Sequence, residues 1–233
     1  RIAIETMIQV SRAADATAKE TKESAALYAS VREKLSGAKL ALDLLTAEHF
    51  RVEGAAAMVE EGFELDLSDR ERILKSFHDP RDLLIVNAAE REATDPGRLF
   101  FHWELEFPEV FFGTTDADIE RLRHSGRVAT EGKGFDAVVG NPPYVRMELI
   151  KPLKPFLKPH YRCHAERADL FIYFYERAVE LLRPGGRTAF IASSTWTKTK
   201  AGQGLREFLQ TEATLDSFLD FGDLPVFEDA TTY

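Results

Sequence analysis

From Phe135 onward, short apolar runs alternate with amphipathic stretches, and few folds accept that order. Phe135-Asp136-Ala137-Val138-Val139-Gly140 reads as a short strand ending in glycine. Asp169 to Leu182 reads as a helix, closed by Pro184-Gly185-Gly186. Arg187 to Ala192 reads as a second strand, Gly202 to Leu209 as a helix and Leu215 to Phe221 as a third strand. This order predicts a parallel sheet with right-handed crossovers and helices on both faces. The expected class is α/β.

Upstream the pattern is different. Residues 1–60 are rich in alanine and charge, and no proline precedes Pro80, so helices are expected there. Val31, Leu35, Leu42 and Leu45 fall at helical spacing and predict one apolar face. Asp69-Arg70-Glu71-Arg72 opens a second helical stretch through Phe77, and Asp79-Pro80 stops it. The run Leu84-Ile85-Val86 suits a further helix or a buried strand. Asp95-Pro96-Gly97 signals a turn. Leu99 to Phe112 is densely aromatic and predicts a hydrophobic clasp that includes His102 and Trp103, and residues 113–134 predict a loop.

Hydrophobic residues are 44% and charged residues 30% of the 233, a globular balance that excludes disorder throughout. The single cysteine, Cys163, excludes an internal disulfide. No apolar run approaches the roughly 18–20 residues of a membrane span, and no signal peptide is recognisable, so a cytoplasmic setting without membrane is expected. The net charge of −9 argues against a uniformly basic surface. Its distribution is uneven: residues 1–140 carry 18 Lys and Arg against 27 Asp and Glu, whereas 145–206 carries 12 against 5. The basic stretch includes Arg146, Lys151, Lys154, Lys158, Arg162 and Arg167, and runs on to Lys198, Lys200 and Arg206. It is either a solvated face or a polyanion contact.

The first strand runs straight into Asn141-Pro142-Pro143-Tyr144. Ligands of open α/β sheets bind beyond the carboxyl ends of the strands. Two prolines lock the backbone and remove two donors, and Pro142 pushes Asn141 toward an extended conformation. A side-chain amide oxygen and a bare carbonyl then sit as two acceptors beside an aromatic ring. They suit a planar substrate that presents an NH₂ group, with the ring as a stacking face. A plain turn is the alternative reading of the same residues.

This tetrapeptide after a strand resembles the catalytic motif of S-adenosylmethionine-dependent amino-methyltransferases, above all the gamma-class adenine-N6 DNA methyltransferases. The resemblance extends through Asp169-Leu170-Phe171-Ile172-Tyr173-Phe174, Leu182-Arg183-Pro184-Gly185-Gly186-Arg187, Ser194-Thr195-Trp196, Leu205-Arg206-Glu207-Phe208-Leu209 and Val226-Phe227. Upstream, Lys39 to Ala47 and Phe101 to Phe111 resemble segments of large restriction-modification and phage-defence methylases. The resemblance implies part of a Rossmann-like sheet with strands from about residue 135 onward, preceded by a mostly helical segment. It divides the chain into a helical insertion or connector over 1–98 and a catalytic part over 99–233.

It also implies roles. Asn141 and the Pro142 carbonyl accept from the adenine amino group, Tyr144 stacks on the flipped base and Phe227 holds its other face. Pro143, Phe174 and Asp169 serve the S-adenosylmethionine site; for Phe174, core packing is the alternative. Lys151, Lys154, Lys158 and Arg162 meet the phosphates of double-stranded DNA. No metal is required. The family's Gly-rich cofactor motif is missing between Arg1 and Tyr233. It is expected upstream and a target-recognition domain downstream, so the remainder of its own polypeptide is an expected partner. Taken alone, this stretch is expected to bind cofactor weakly or not at all. The same motif also serves methyltransferases of RNA bases and of a glutamine amide, and a non-catalytic DNA-binding subunit is the reading from another class.

Overall fold

The computed structural model describes Met7 and residues 17–62, 70–77, 79–97, 99–113, 115, 117, 132–145, 148–222 and 224. Packing divides the chain into two units, Arg1–Gly134 and Phe135–Tyr233.

The first unit is helical: α1 (Ala18–Lys34), α2 (Ser36–Glu48), α3 (Ala55–Gly62), α4 (Arg70–Ser76), α5 (Pro80–Ala93), α6 (Trp103–Glu106) and α7 (Pro108–Phe112). The Thr17 hydroxyl caps α1, accepting from the Glu20 N–H at 3.2 Å. Asp79 caps α5 in the same way through the Arg81 N–H, with Pro80 in the first turn where no donor is needed. Leu84-Ile85-Val86 is therefore helical. Leu40, Leu44, Ala47, Ala55, Met58, Ile73, Val86 and Ala89 form the core. Each fully buried Leu, Ile or Val contributes about 1.5–3 kcal/mol over an exposed one.

The expected stripe through Leu35, Leu42 and Leu45 is only partly formed. Leu35 leaves helical geometry at φ −97°, ψ 2°, and α2 restarts at Ser36 with a new phase. The buried stripe of α2 is Leu40, Leu44 and Ala47, while Leu45 is exposed.

The aromatic segment lies with the first unit, and the two upstream stretches singled out by resemblance meet there. The His102 Nε2 lies 2.8 Å from Asp43 Oδ1, 59 positions away, and Lys39 pairs with the other carboxylate oxygen. An ionised carboxylate only accepts, so this imidazole donates from Nε2. The Tyr28 hydroxyl donates to Glu106, and Trp103 and Phe107 stack at 5.9 Å between centroids.

The second unit holds β1 (Phe135–Gly140), a short 3-10 turn (Lys151–Leu153), α8 (Lys154–His160), α9 (Leu170–Leu181), β2 (Leu182–Phe190), a second 3-10 turn (Ser194–Thr197) and α10 (Gln203–Glu212). β1 and β2 pair in parallel, Ala137 opposite Arg187 through Gly140 opposite Phe190. α9 buries Phe171, Ile172 and Tyr173 in a core that includes Trp196, Leu205 and Phe208, and Ala178 and Leu181 are buried as well.

Two expectations are corrected here. The Pro184-Gly185-Gly186 segment is not a separate turn but an irregularity inside β2, where the register shifts between Phe135 and Ala137. Gly185 takes φ +78°, and a Cβ on Gly186 would lie 2.9 Å from the carbonyl oxygens of Arg183 and Phe135, so the ladder passes only because both are glycine. The third strand is absent: residues 213–221 join no ladder. Leu215 and Leu219 are 69% and 78% exposed, because a strand needs a ladder partner as well as propensity, and the described residues supply none. The sheet described is thus two-stranded and parallel, a part of the expected α/β arrangement. Among the described residues no helix is long and apolar enough to cross a membrane.

Candidate functional site

Gly140 ends β1, and its carbonyl accepts from the Ile191 N–H at 3.2 Å, one step beyond the ladder. Both strands therefore release their loops at one edge. Pro142 is buried, while Asn141, Pro143 and Tyr144 are exposed. The Val145 N–H donates to the Pro143 carbonyl at 3.0 Å, and the Leu170 N–H donates to the Val145 carbonyl at 3.2 Å. The turn is closed on itself and fastened to the first turn of α9.

Tyr144 is 57% exposed. Its hydroxyl donates to the Ile191 carbonyl at 3.4 Å, a long bond that fixes the direction of the ring more than its energy. What burial it has raises the Tyr144 hydroxyl pKa. Behind it Tyr175 packs edge-on to Phe190 at 5.0 Å and tilted against Trp196 at 5.9 Å. Tyr144 is thus an open aromatic face near a cluster of half-buried Tyr175 and Phe190 and buried Trp196.

Asp169 precedes α9 in extended geometry, φ −77° and ψ 162°, and its side chain does not cap the helix. Phe174 lies one turn into α9 and is 42% exposed, turned away from the buried Phe171, Ile172 and Tyr173. Its ring is thus only partly enclosed by the core of the second unit. Phe227 and Arg146 lie outside the described residues.

The structure sorts the basic stretch. Lys154 reaches the Glu166 carbonyl and, at 3.4 Å, its carboxylate. Arg162 donates to Glu212 at 2.7 Å and lies 5.0 Å over the Phe208 ring, and this partner raises its pKa. Arg177, Arg183 and Arg187 face Glu180, Asp136 and Asp216 at 3.2, 2.6 and 3.3 Å. Lys151, Lys158, Arg167, Lys198 and Lys200 are exposed and carry no ion pair among the described residues.

Three residues have structural roles that the sequence reading did not assign. Glu176 is 1% exposed on α9 and accepts from the N–H groups of Arg162 and Cys163 at 2.8 and 2.7 Å, pinning the turn before α9. The signal was a carboxylate four positions after Ile172 on an apolar helix face. Arg206 holds the loop after β2 through backbone carbonyls, which no side-chain pattern reveals. His164 is nearly buried, its Nδ1 2.9 Å from the Tyr173 hydroxyl. Burial lowers the His164 pKa and pushes the Tyr173 hydroxyl up to about 12. No group of His, Cys, Asp and Glu suited to a metal ion occurs among the described residues.

The Eco57I restriction-modification methylase family matches residues 21–227. The Type II methyltransferase M.XhoI of Xanthomonas vasicola is 47% identical over 94 residues, 40% of this chain and 17% of that protein. The Type II methyltransferase M.PaeR7I of Pseudomonas aeruginosa is 42% identical over 94 residues, 40% of this chain and 16% of that protein. The Type II restriction enzyme and methyltransferase RM.Eco57I of Escherichia coli is 35% identical over 103 residues, 42% of this chain and 10% of that protein. The matched part of the chain thus spans about a sixth or less of the length of these relatives. No solved structure matches it. Over most of its length, from α1 through the strand-end turn to the segment after α10, the chain belongs to the Eco57I restriction-modification methylase family.

Proposed function

We propose that the protein transfers a methyl group from S-adenosylmethionine to the N6 amino group of an adenine flipped out of double-stranded DNA, within a restriction-modification or phage-defence system. One observation carries the reading: Asn141-Pro142-Pro143-Tyr144 leaves the carboxyl end of a parallel strand with its amide and ring exposed. The relatives support it, since they are named Type II methyltransferases.

The Asn141 amide oxygen and the Pro142 carbonyl accept the two N–H groups of the base. That draws the nitrogen lone pair out of conjugation with the ring and leaves it free to attack. Tyr144 stacks on the base and holds it outside the helix, and Phe227 is assigned its other face. Extrusion costs roughly a few kcal/mol, which stacking partly offsets. Positioning supplies much of the acceleration, because the turn is already fastened at Pro143, Val145 and Leu170.

Pro143, Phe174 and Asp169 fit the adenine end of the cofactor. An exposed ring, a proline face and a carboxylate lie on either side of the Val145–Leu170 hydrogen bond. When bound, the cofactor supplies an electrophilic methyl on sulfur. Lys151, Lys154, Lys158 and Arg162 are assigned to DNA phosphates; Lys151 and Lys158 carry no ion pair among the described residues. The catalytic part is assigned to 99–233 and an insertion or connector to 1–98.

Tritiated-methyl transfer by the full-length protein tests the reading. Incorporation into unmethylated DNA is expected; incorporation into RNA or a peptide in preference to DNA would overturn it.

A further inference from the structure

We propose that the connection from β2 to α10 is a clamped phosphate-binding loop, and that its Lys198 and Lys200 grip the DNA backbone beside the target base. The proposal rests on DNA being the substrate. Position is the first argument. Ile191 opens this connection, its N–H bound to the Gly140 carbonyl and its own carbonyl receiving the Tyr144 hydroxyl. The loop therefore leaves the sheet at the edge that carries Asn141 to Tyr144.

The second argument is the division of charge. Lys154, Arg162, Arg177, Arg183 and Arg187 each face a carboxylate within 3.4 Å. Lys198 and Lys200 are exposed and have no carboxylate partner among the described residues. The proposal pairs them with an anion from outside the chain. Beside a turn that reads a planar base, that anion is the backbone carrying the base.

Construction is the third. The Arg206 guanidinium donates to the carbonyls of Trp196 and, at 2.9 Å, Thr199, bracketing Lys198. The Thr197 hydroxyl donates to the Ser194 carbonyl at 2.7 Å. Trp196 is buried, and a Cβ on Gly202 would lie 2.5 Å from the Trp196 Cα, so α10 starts directly against the turn. A loop held this firmly leaves little backbone to order on binding, so only the two lysine side chains remain to be fixed.

The test is DNA binding by the full-length protein, read by fluorescence anisotropy across a salt series on specific and random duplexes. Replacing both lysines, Lys198→Gln with Lys200→Gln, should weaken both duplexes alike. It should flatten the slope of log K against log salt by about two units, since each phosphate contact contributes about 0.9. Lys198→Arg with Lys200→Arg should restore the slope. An unchanged slope in the glutamine variant, with methyl transfer to DNA intact in the wild type, overturns the loop assignment alone. A wild type that transfers no methyl to DNA overturns the reading beneath it as well.

Discussion

Tyr144 shows how a single residue divides its duties. The ring is open to a ligand, and the hydroxyl only steers it through a long bond to Ile191. Base–aromatic stacking is worth roughly 1–3 kcal/mol. Tyr144→Ala should therefore lose about tenfold to a hundredfold in methyl transfer to a paired adenine, whereas Tyr144→Phe loses little. Equal losses in the two variants would assign the role to the hydroxyl instead. Cys163 makes the opposite case. It is fully buried, and burial, followed by the Glu176 carboxylate, raises its thiol pKa far above the ordinary range. The native protein should resist a thiol reagent until unfolded, and rapid labelling at neutral pH would contradict this burial. His164 adds a pH dependence. Its ring faces the Tyr173 hydroxyl, Glu166, Lys154 and Lys158, and burial holds its pKa below the ordinary 6.5. As pH falls through 6.5 the unfolded chain takes up the proton first. The stability contributed by neutral His164 is thus complete above that pH and declines below it, down to the folded-state value. Thermal unfolding from pH 7.5 to 5.5 should show the fall in Tm, and His164→Gln should flatten it.

At the scale of elements, the packed turn between β2 and α10 is the most sensitive joint. A Cβ at Gly202 would overlap Trp196, and overpacking costs about 1–3 kcal/mol. Gly202→Ala should lower the Tm, and an unaltered Tm would show that the turn gives way freely. Legibility followed the kind of signal each element carries. α9 was readable from its apolar period, whereas the sequence left Leu84-Ile85-Val86 open between helix and strand, and the Asp79 cap with Pro80 in the first turn decides for α5. β1 was readable from a six-residue run before two prolines. The start of β2 was not, because Pro184-Gly185-Gly186 carries the residue types of a turn while the backbone runs on through an irregular register. Leu215 to Phe221 has strand composition, but strand formation depends on a neighbour that composition does not report. For the site, the exposed tetrapeptide was visible in the sequence, whereas its fastening through Ile191, Val145 and Leu170 uses backbone groups that every residue possesses.

At the scale of the chain, packing gives two units, a helical one with its own core and a smaller one that carries the strand-end turn. Family membership spans both, from residue 21 to 227. Val139, in the middle of a parallel ladder, is 78% exposed, an unusual state for a strand type that is ordinarily covered on both faces. In the proposed reaction Asn141 presents an acceptor to an adenine amino group. Removing one preorganised acceptor typically costs about 10²–10³ in rate. The direct measurement is mass spectrometry of nucleosides from DNA treated with the full-length protein and S-adenosylmethionine, wild type against Asn141→Ala, with DNA binding followed in parallel. N6-methyladenine is expected from the wild type, with near-complete loss in Asn141→Ala and DNA affinity kept within several-fold. Methylation by Asn141→Ala at more than half the wild-type rate, or a different methylated nucleoside from the wild type, would contradict the proposed reaction.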